Sequence, residues 1–154
     1  MKHKLLPLVF MVFLFPGCDK QRVYDHYMTT EEGLWTWKQV GVFEVDMNDS
    51  LSLHNVYIQV RHSVDYPLSN LYMYVHVKGP SGQHYKDTVN LVLANPDGSW
   101  IGRGSTRLRE LRLLYRKAVL FSEPGLYTFS LEQAMRREKL PVTDVGLRIE
   151  KINP

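Results

Sequence analysis

Apolar and polar residues alternate with a period of two through most of the chain beyond residue 40. Val56, Ile58 and Val60 share one parity, and Tyr57, Gln59 and Arg61 the other. Leu71, Met73, Val75 and Val77 alternate with Tyr72, Tyr74, His76 and Lys78. Phe43 and Val45 mark an inner face in 40–46, and Tyr85, Val89, Leu91 and Leu93 share a parity with Asp87 in 85–93. Leu111, Leu113, Tyr115, Val119 and Phe121 repeat the pattern, then Tyr127, Phe129 and Leu131, then Val145, Leu147 and Ile149. Successive side chains of a strand point to opposite faces, so these runs predict half-buried antiparallel strands. Turn formers separate them: Asn48-Asp49-Ser50, Tyr66-Pro67, Gly79-Pro80-Ser81-Gly82, Asn95-Pro96-Asp97-Gly98 and Glu123-Pro124-Gly125. The expectation is an all-β antiparallel β-sandwich of about seven or eight strands, with a jelly roll as the alternative wiring. One short helix is expected from Ser130, with Gln133 completing a capping box, Leu131, Ala134 and Met135 as its apolar stripe, and Leu140-Pro141 at its end.

The first residues have a different character. Met1-Lys2-His3-Lys4 is basic, Leu5 to Phe15 is apolar, and Pro16-Gly17 precedes Cys18, the only cysteine of the 154 residues. This is the layout of a secretory signal. The apolar run is about half the ~20 residues a bilayer-spanning helix needs. Its ending resembles the lipobox of bacterial lipoproteins, in which the cysteine becomes the first mature residue and carries the lipid. The alternative is a plain secreted protein with one spare thiol. Residues 1–17 are therefore read as a lipoprotein signal peptide and Cys18 as the lipid attachment site. Residues 18–33, which lack periodicity, are read as a lipidated tether or a partly ordered arm, and 34–154 as a single β-sandwich domain. No second cysteine remains for a disulfide, so the fold rests on its core.

Charge changes the picture little. Lys2 and Lys4 lie before Cys18, so 17 of the 19 Lys and Arg remain beyond it, against 16 Asp and Glu. That balance does not call for nucleic acid. No nucleophile elbow, zinc-protease helix or phosphate-cradling glycine loop occurs. Asp46, Asn48 and Ser50 open like a calcium loop, but Leu51 stands where its glycine belongs and Tyr57 where its last acid belongs. His54 and His62, or His76 and His84, would each lie about 26 Å apart along one strand, beyond shared ligation, although cross-strand pairing could join two of the four. No catalytic residue, metal, cofactor or small-molecule substrate is expected.

Two features suit an interaction surface. Arg107, Arg109, Arg112 and Arg116 form a basic run, suited to anionic lipid or an acidic partner; the alternative is a solvated face paired with carboxylates elsewhere. Tyr66, Tyr72, Tyr74 and Trp100 are the aromatic candidates, for a protein interface or for stacking on sugars; the alternative is burial.

The chain resembles the GldH family of gliding-motility lipoproteins of Bacteroidetes. The resemblance is carried by Asp65-Tyr66-Pro67-Leu68-Ser69-Asn70-Leu71, by Ala94-Asn95-Pro96-Asp97-Gly98-Ser99-Trp100-Ile101-Gly102, by Gln133-Ala134-Met135-Arg136, and by Thr143-Asp144-Val145-Gly146-Leu147-Arg148-Ile149-Glu150-Lys151, in that order after Cys18. It implies a non-enzymatic, membrane-anchored component of the gliding and type IX secretion-associated envelope machinery. It also implies other Gld-type lipoproteins as partners. The periplasmic side of the outer membrane is the expected location, although the residues after Cys18 do not by themselves fix the membrane side. Of its positions, Cys18 alone takes over a defined role. The rival expectation is a carbohydrate-binding β-sandwich of the cell envelope.

Overall fold

The computed structural model describes residues 19–153; Cys18 and the signal segment lie outside the described residues. The strands are β1 (Arg22–Thr29), β2 (Trp35–Thr36), β3 (Gly41–Met47), β4 (Leu53–Ser63), β5 (Asn70–Lys78), β6 (His84–Val92), β7 (Arg103–Gly104), β8 (Leu108–Leu120), β9 (Gly125–Gln133), β10 (Lys139–Leu140) and β11 (Val142–Lys151), with one 3-10 turn at Glu31–Gly33. They form a five-stranded sheet in the order β1-β11-β4-β8-β7, a four-stranded sheet in the order β3-β9-β5-β6, and a β10-β2 pair. The pairings are antiparallel.

The alternation read from the sequence sets the two inner faces. Val56, Ile58, Val60, Val145, Leu147 and Ile149 from the larger sheet pack with Phe43, Val45, Leu71, Met73, Val75 and Leu131 from the smaller, all buried in one core. Burial of each such side chain stabilises the fold by about 1.5–3 kcal/mol. This is the expected β-sandwich.

Strand β8 keeps its parity by an indirect route. Leu113 pairs with Ile58 and Val119 with His54, so six steps on β8 pass four on β4, with register shifts on either side of Val56. Two single-residue bulges therefore cancel, and Val119 returns to the inner face. Ala118 sits there at φ 55°, and its N–H donates to Asn55 Oδ1 at 3.1 Å.

Two expectations are corrected. The helix at Ser130 is absent: Ser130 and Leu131 pair with β3, and Glu132 and Gln133 pair with β5, as the end of β9. Pairing on both flanks, with Leu131 fully buried, overrides a capping signal backed by only one turn of apolar stripe. Gln133 still orders the following segment. Its amide donates to the carbonyls of Arg137 (2.9 Å) and Glu138 (3.1 Å), and its Oε1 accepts from the Met135 N–H at 3.2 Å. The stretch 18–33 is also not a spacer throughout, because Arg22–Thr29 forms edge strand β1 along β11. Its apolar residues are too sparse to show the alternation, yet backbone pairing with β11 supplies what the side chains do not.

Candidate interaction surfaces

The expected surface residues divide. Tyr66 is 4% exposed; its hydroxyl donates to the Asn70 carbonyl at 3.0 Å, and burial pushes its pKa up. Trp100 is half-buried, packed against the core and edge-on to His62 with ring centroids 4.7 Å apart. The Asn95-Pro96-Asp97-Gly98 turn puts it there: the Gly98 N–H donates to Asn95 O (2.9 Å), Asp97 Oδ1 accepts from Ser99 N–H (2.9 Å), and Trp100 bridges back to Ala94. Tyr66 and Trp100 are thus packing residues that close one end of the sandwich, not an exposed platform.

Tyr72 and Tyr74 do share the outer face of β5. Tyr72 is 42% exposed, and the Lys86 ammonium lies 4.2 Å above the Tyr74 ring. Beside Tyr72 the chain presents Met135, whose sulfur accepts from the Tyr72 backbone N–H at 3.1 Å. Trp37, 53% exposed, donates its indole N–H to the Met135 carbonyl at 2.9 Å. Trp37 and Tyr72, on either side of half-buried Met135, form a corner of which the period-two pattern marks Tyr72 alone.

The arginines do not make one stripe. Arg107 lies in the exposed approach to β8, Arg109 donates to the Gly104 carbonyl at 3.2 Å, and Arg116 reaches across the sandwich edge to Asp87 at 2.5 Å. Arg112 instead enters a network on the outer face of the five-stranded sheet. The sequence pattern does not mark that network, because its members sit on four strands distant in the chain.

Arg148, 6% exposed, is its hub, with a nitrogen on each of Asp19, Asp25 and Glu150. Burial opposes its charge, but the three carboxylates outweigh burial and hold its pKa above the usual range. Arg112 donates to Gln59 Oε1 at 3.1 Å and lies 3.7 Å from Glu150, while Gln59 donates to Asp25 at 2.8 Å. Arg61 donates to Glu110 at 2.8 Å and lies 4.2 Å over the Tyr27 ring. The Tyr27 hydroxyl donates to the same carboxylate at 3.2 Å; burial first, then Glu110, pushes its pKa up to about 12. Gly146 makes this possible: a Cβ there would stand 2.7 Å from the Tyr27 ring. The Thr143-Asp144-Val145-Gly146 segment therefore has a structural reason, with Asp144 accepting from Thr29 Oγ1 at 2.8 Å.

Between the β6 and β8 edges runs a cleft of ≈ 460 Å³, lined by Val77, Tyr85, Tyr115, Phe121 and Tyr127. It is apolar in the main, crossed by the Arg116–Asp87 pair. Cross-strand pairing does bring two histidines together: the His76 and His84 ring centroids lie 5.5 Å apart with the planes tilted by 32°, and Glu132 is 3.7 Å from His76. Among the described residues no group of three or more His, Cys, Asp and Glu is placed to hold a metal ion. Nor is any helix among them long and apolar enough to cross a membrane.

Fold and surfaces together define a two-sheet antiparallel sandwich with an ion-pair network on the outer face of its five-stranded sheet. The chain belongs to the GldH lipoprotein family, whose model it matches over residues 22–149. It is 38% identical over 151 residues to the "Gliding motility lipoprotein GldH homolog" of Christiangramia forsetii, covering 93% of this chain and 92% of that one. It is 35% identical over 158 residues to the "Gliding motility lipoprotein GldH" of Flavobacterium johnsoniae, covering 97% of each. Among solved structures, one of infectious bursal disease virus Gx strain aligns with TM-score 0.35 and 7% identity, over 84% of this chain and 32% of that chain. A likeness of that size carries no argument.

Proposed function

We propose that the protein is a non-catalytic lipoprotein, anchored through a lipid on Cys18, that stabilises envelope partners of the gliding-motility and type IX secretion-associated machinery. Its place is the periplasmic side of the outer membrane, and its partners are other Gld-type lipoproteins. The observation that carries this reading is family membership across 22–149, with full-length relatives named for gliding motility. Surface chemistry supports it: Arg61, Arg112 and Arg148 are each committed to carboxylates within the sheet, an arrangement that holds strands together and leaves those groups unavailable for proton transfer. The partner face is the corner of Trp37, Met135 and Tyr72, with Tyr74 beside it. Aromatic residues of this kind dominate protein interfaces. Crosslinking in native membranes, followed by mass identification of the adducts, tests the proposal. Recovery of envelope lipoproteins of the motility apparatus is expected; recovery of the acylated protein alone would sink it.

A further inference from the structure

The point where the lipid would leave the fold is fixed by the first described residues. Asp19 follows Cys18 directly and is bound by Arg148, in the middle of the five-stranded sheet's outer network. The Gln21 carbonyl accepts from the Lys151 N–H at 2.8 Å, and β1 begins at Arg22. Asp19 to Gln21, held by those contacts, are the residues between Cys18 and β1.

Strand pairing shows what else lies at that end. Arg22 faces Glu150, Lys151 faces His54, Leu53 faces Leu120, and the Ile152 N–H donates to Leu53 at 2.8 Å. The loop 48–52 joins β3 to β4 at the same end. Its apex, Leu51, is 92% exposed, more than any other large apolar residue described, while Leu53 and Leu120 beside it are each nearly half exposed. Single exposed leucines are ordinary on protein surfaces; here Leu53 and Leu120 are cross-strand partners and Leu51 is two residues from Leu53 in the adjoining loop. The loop is held in shape. Asp49 accepts from the N–H groups of Leu51 (3.1 Å) and Ser52 (3.0 Å) and from the Lys151 ammonium (2.6 Å). Those bonds hold its pKa below the usual carboxylate range and leave its charge matched by Lys151. Lys20, Arg22 and Lys117 are exposed, and Arg22 and Lys117 stand toward this end of β1 and β8.

We propose that this end of the sandwich is a membrane-contact surface, in which Leu51, Leu53 and Leu120 enter the lipid interface and Lys20, Arg22 and Lys117 meet anionic headgroups. The inference rests on acylation of Cys18. Apolar side chains rimmed by cations are how proteins lie on an anionic lipid surface. The anchor then holds the domain in one orientation, with the Trp37–Tyr72 corner turned away from the bilayer.

Acylation consumes the thiol of Cys18, so an introduced cysteine is the sole reactive thiol. The acylated full chain carrying Leu51→Cys is labelled with an environment-sensitive fluorophore and reconstituted into phosphatidylethanolamine–phosphatidylglycerol vesicles. Leu120→Cys serves as the second position and Ile101→Cys, at the opposite end, as reference. Blue-shifted emission, quenched by doxyl-labelled lipid, is expected at 51 and 120, and water-like, unquenched emission at 101. Protein that floats with the vesicles but gives the same unquenched emission at 51, 120 and 101 overturns the contact surface and leaves the anchor standing. An intact mass without acyl chains, with no flotation, overturns both.

Discussion

The outer faces of the two sheets share strand geometry and differ in chemistry. On the five-stranded sheet, Arg61, Arg112 and Arg148 are knitted to Asp19, Asp25, Glu110 and Glu150 across four strands. On the four-stranded sheet, Val42, Tyr72, Val92 and Leu126 stand exposed. Among the described residues, its cation contacts are His76 at 3.7 Å from Glu132 and Lys86 over the Tyr74 ring. The first face uses its charges to hold strands that are remote in sequence. The first exposes apolar residues too, among them Leu53, Leu114 and Leu120, but the exposed aromatics of the two sheets, Tyr72 and Tyr85, stand on the second. One sheet closes the fold and the other presents it.

That contrast breaks most sharply at Arg148. Its removal leaves the Asp25 and Glu150 carboxylates, both poorly exposed, without their main partner. Removing one member of a buried charge group costs about 3–5 kcal/mol. The urea midpoint of Arg148→Ala is expected to fall accordingly, while Lys86→Ala on the other sheet changes stability by about 0.5 kcal/mol or less. Equal effects of the two variants would erase the distinction between the faces.

The next effect comes from acid. His54 and His62 lie fully buried on the inner side of the five-stranded sheet. Burial lowers both pKa values below the ordinary 6.5. The unfolded chain then takes up protons before the folded one, so the stability they permit is complete above about pH 6.5 and is lost as pH falls below it. Geometry agrees: both nitrogens of His54 and Nε2 of His62 are buried with no hydrogen-bond partner within reach, and the nearby Asp49 charge only partly offsets burial at His54. Urea midpoints are expected to drop between about pH 7 and pH 5, well before ordinary carboxylates titrate. A level profile over that range would contradict the assignment.

The strands of the core were legible because one face of each is buried, and burial writes a period of two into β3, β4, β5 and β11. Strand β1 was not, since Val23, Asp25, Tyr27 and Thr29 face outward and hold their place through Arg148, Arg61 and Asp144 rather than through the core. The capping box at Ser130 misled because it is local, and β9 is decided by partners on both sides. Of the aromatic candidates, Tyr72 and Tyr74 follow from strand parity alone. The inward place of Tyr66 and Trp100 depends on turns that fold each back over His62, and nothing in residue type announces such a closure.

The smallest effect on stability is expected at the corner assigned to a partner. Tyr72 and Trp37 each present a ring to solvent, and both meet Met135 through main-chain atoms or the indole N–H rather than through deep packing. Tyr72→Ala therefore costs about 0.5 kcal/mol or less, and Trp37→Ala little more, from its one hydrogen bond of about 1 kcal/mol. Truncating an interface aromatic, by contrast, costs about 2 kcal/mol or more of binding. The double variant is expected to unfold within about 2 kcal/mol of the parent, taking both costs together, yet to lose most of its crosslinked partner in native membranes. If the yield holds, the exposed rings are incidental and the partner lies elsewhere, with the apolar cleft between β6 and β8 the next place to probe. If yield and folding fall together, the corner is structural, and the contrast between a closing sheet and a presenting sheet fails at its clearest point.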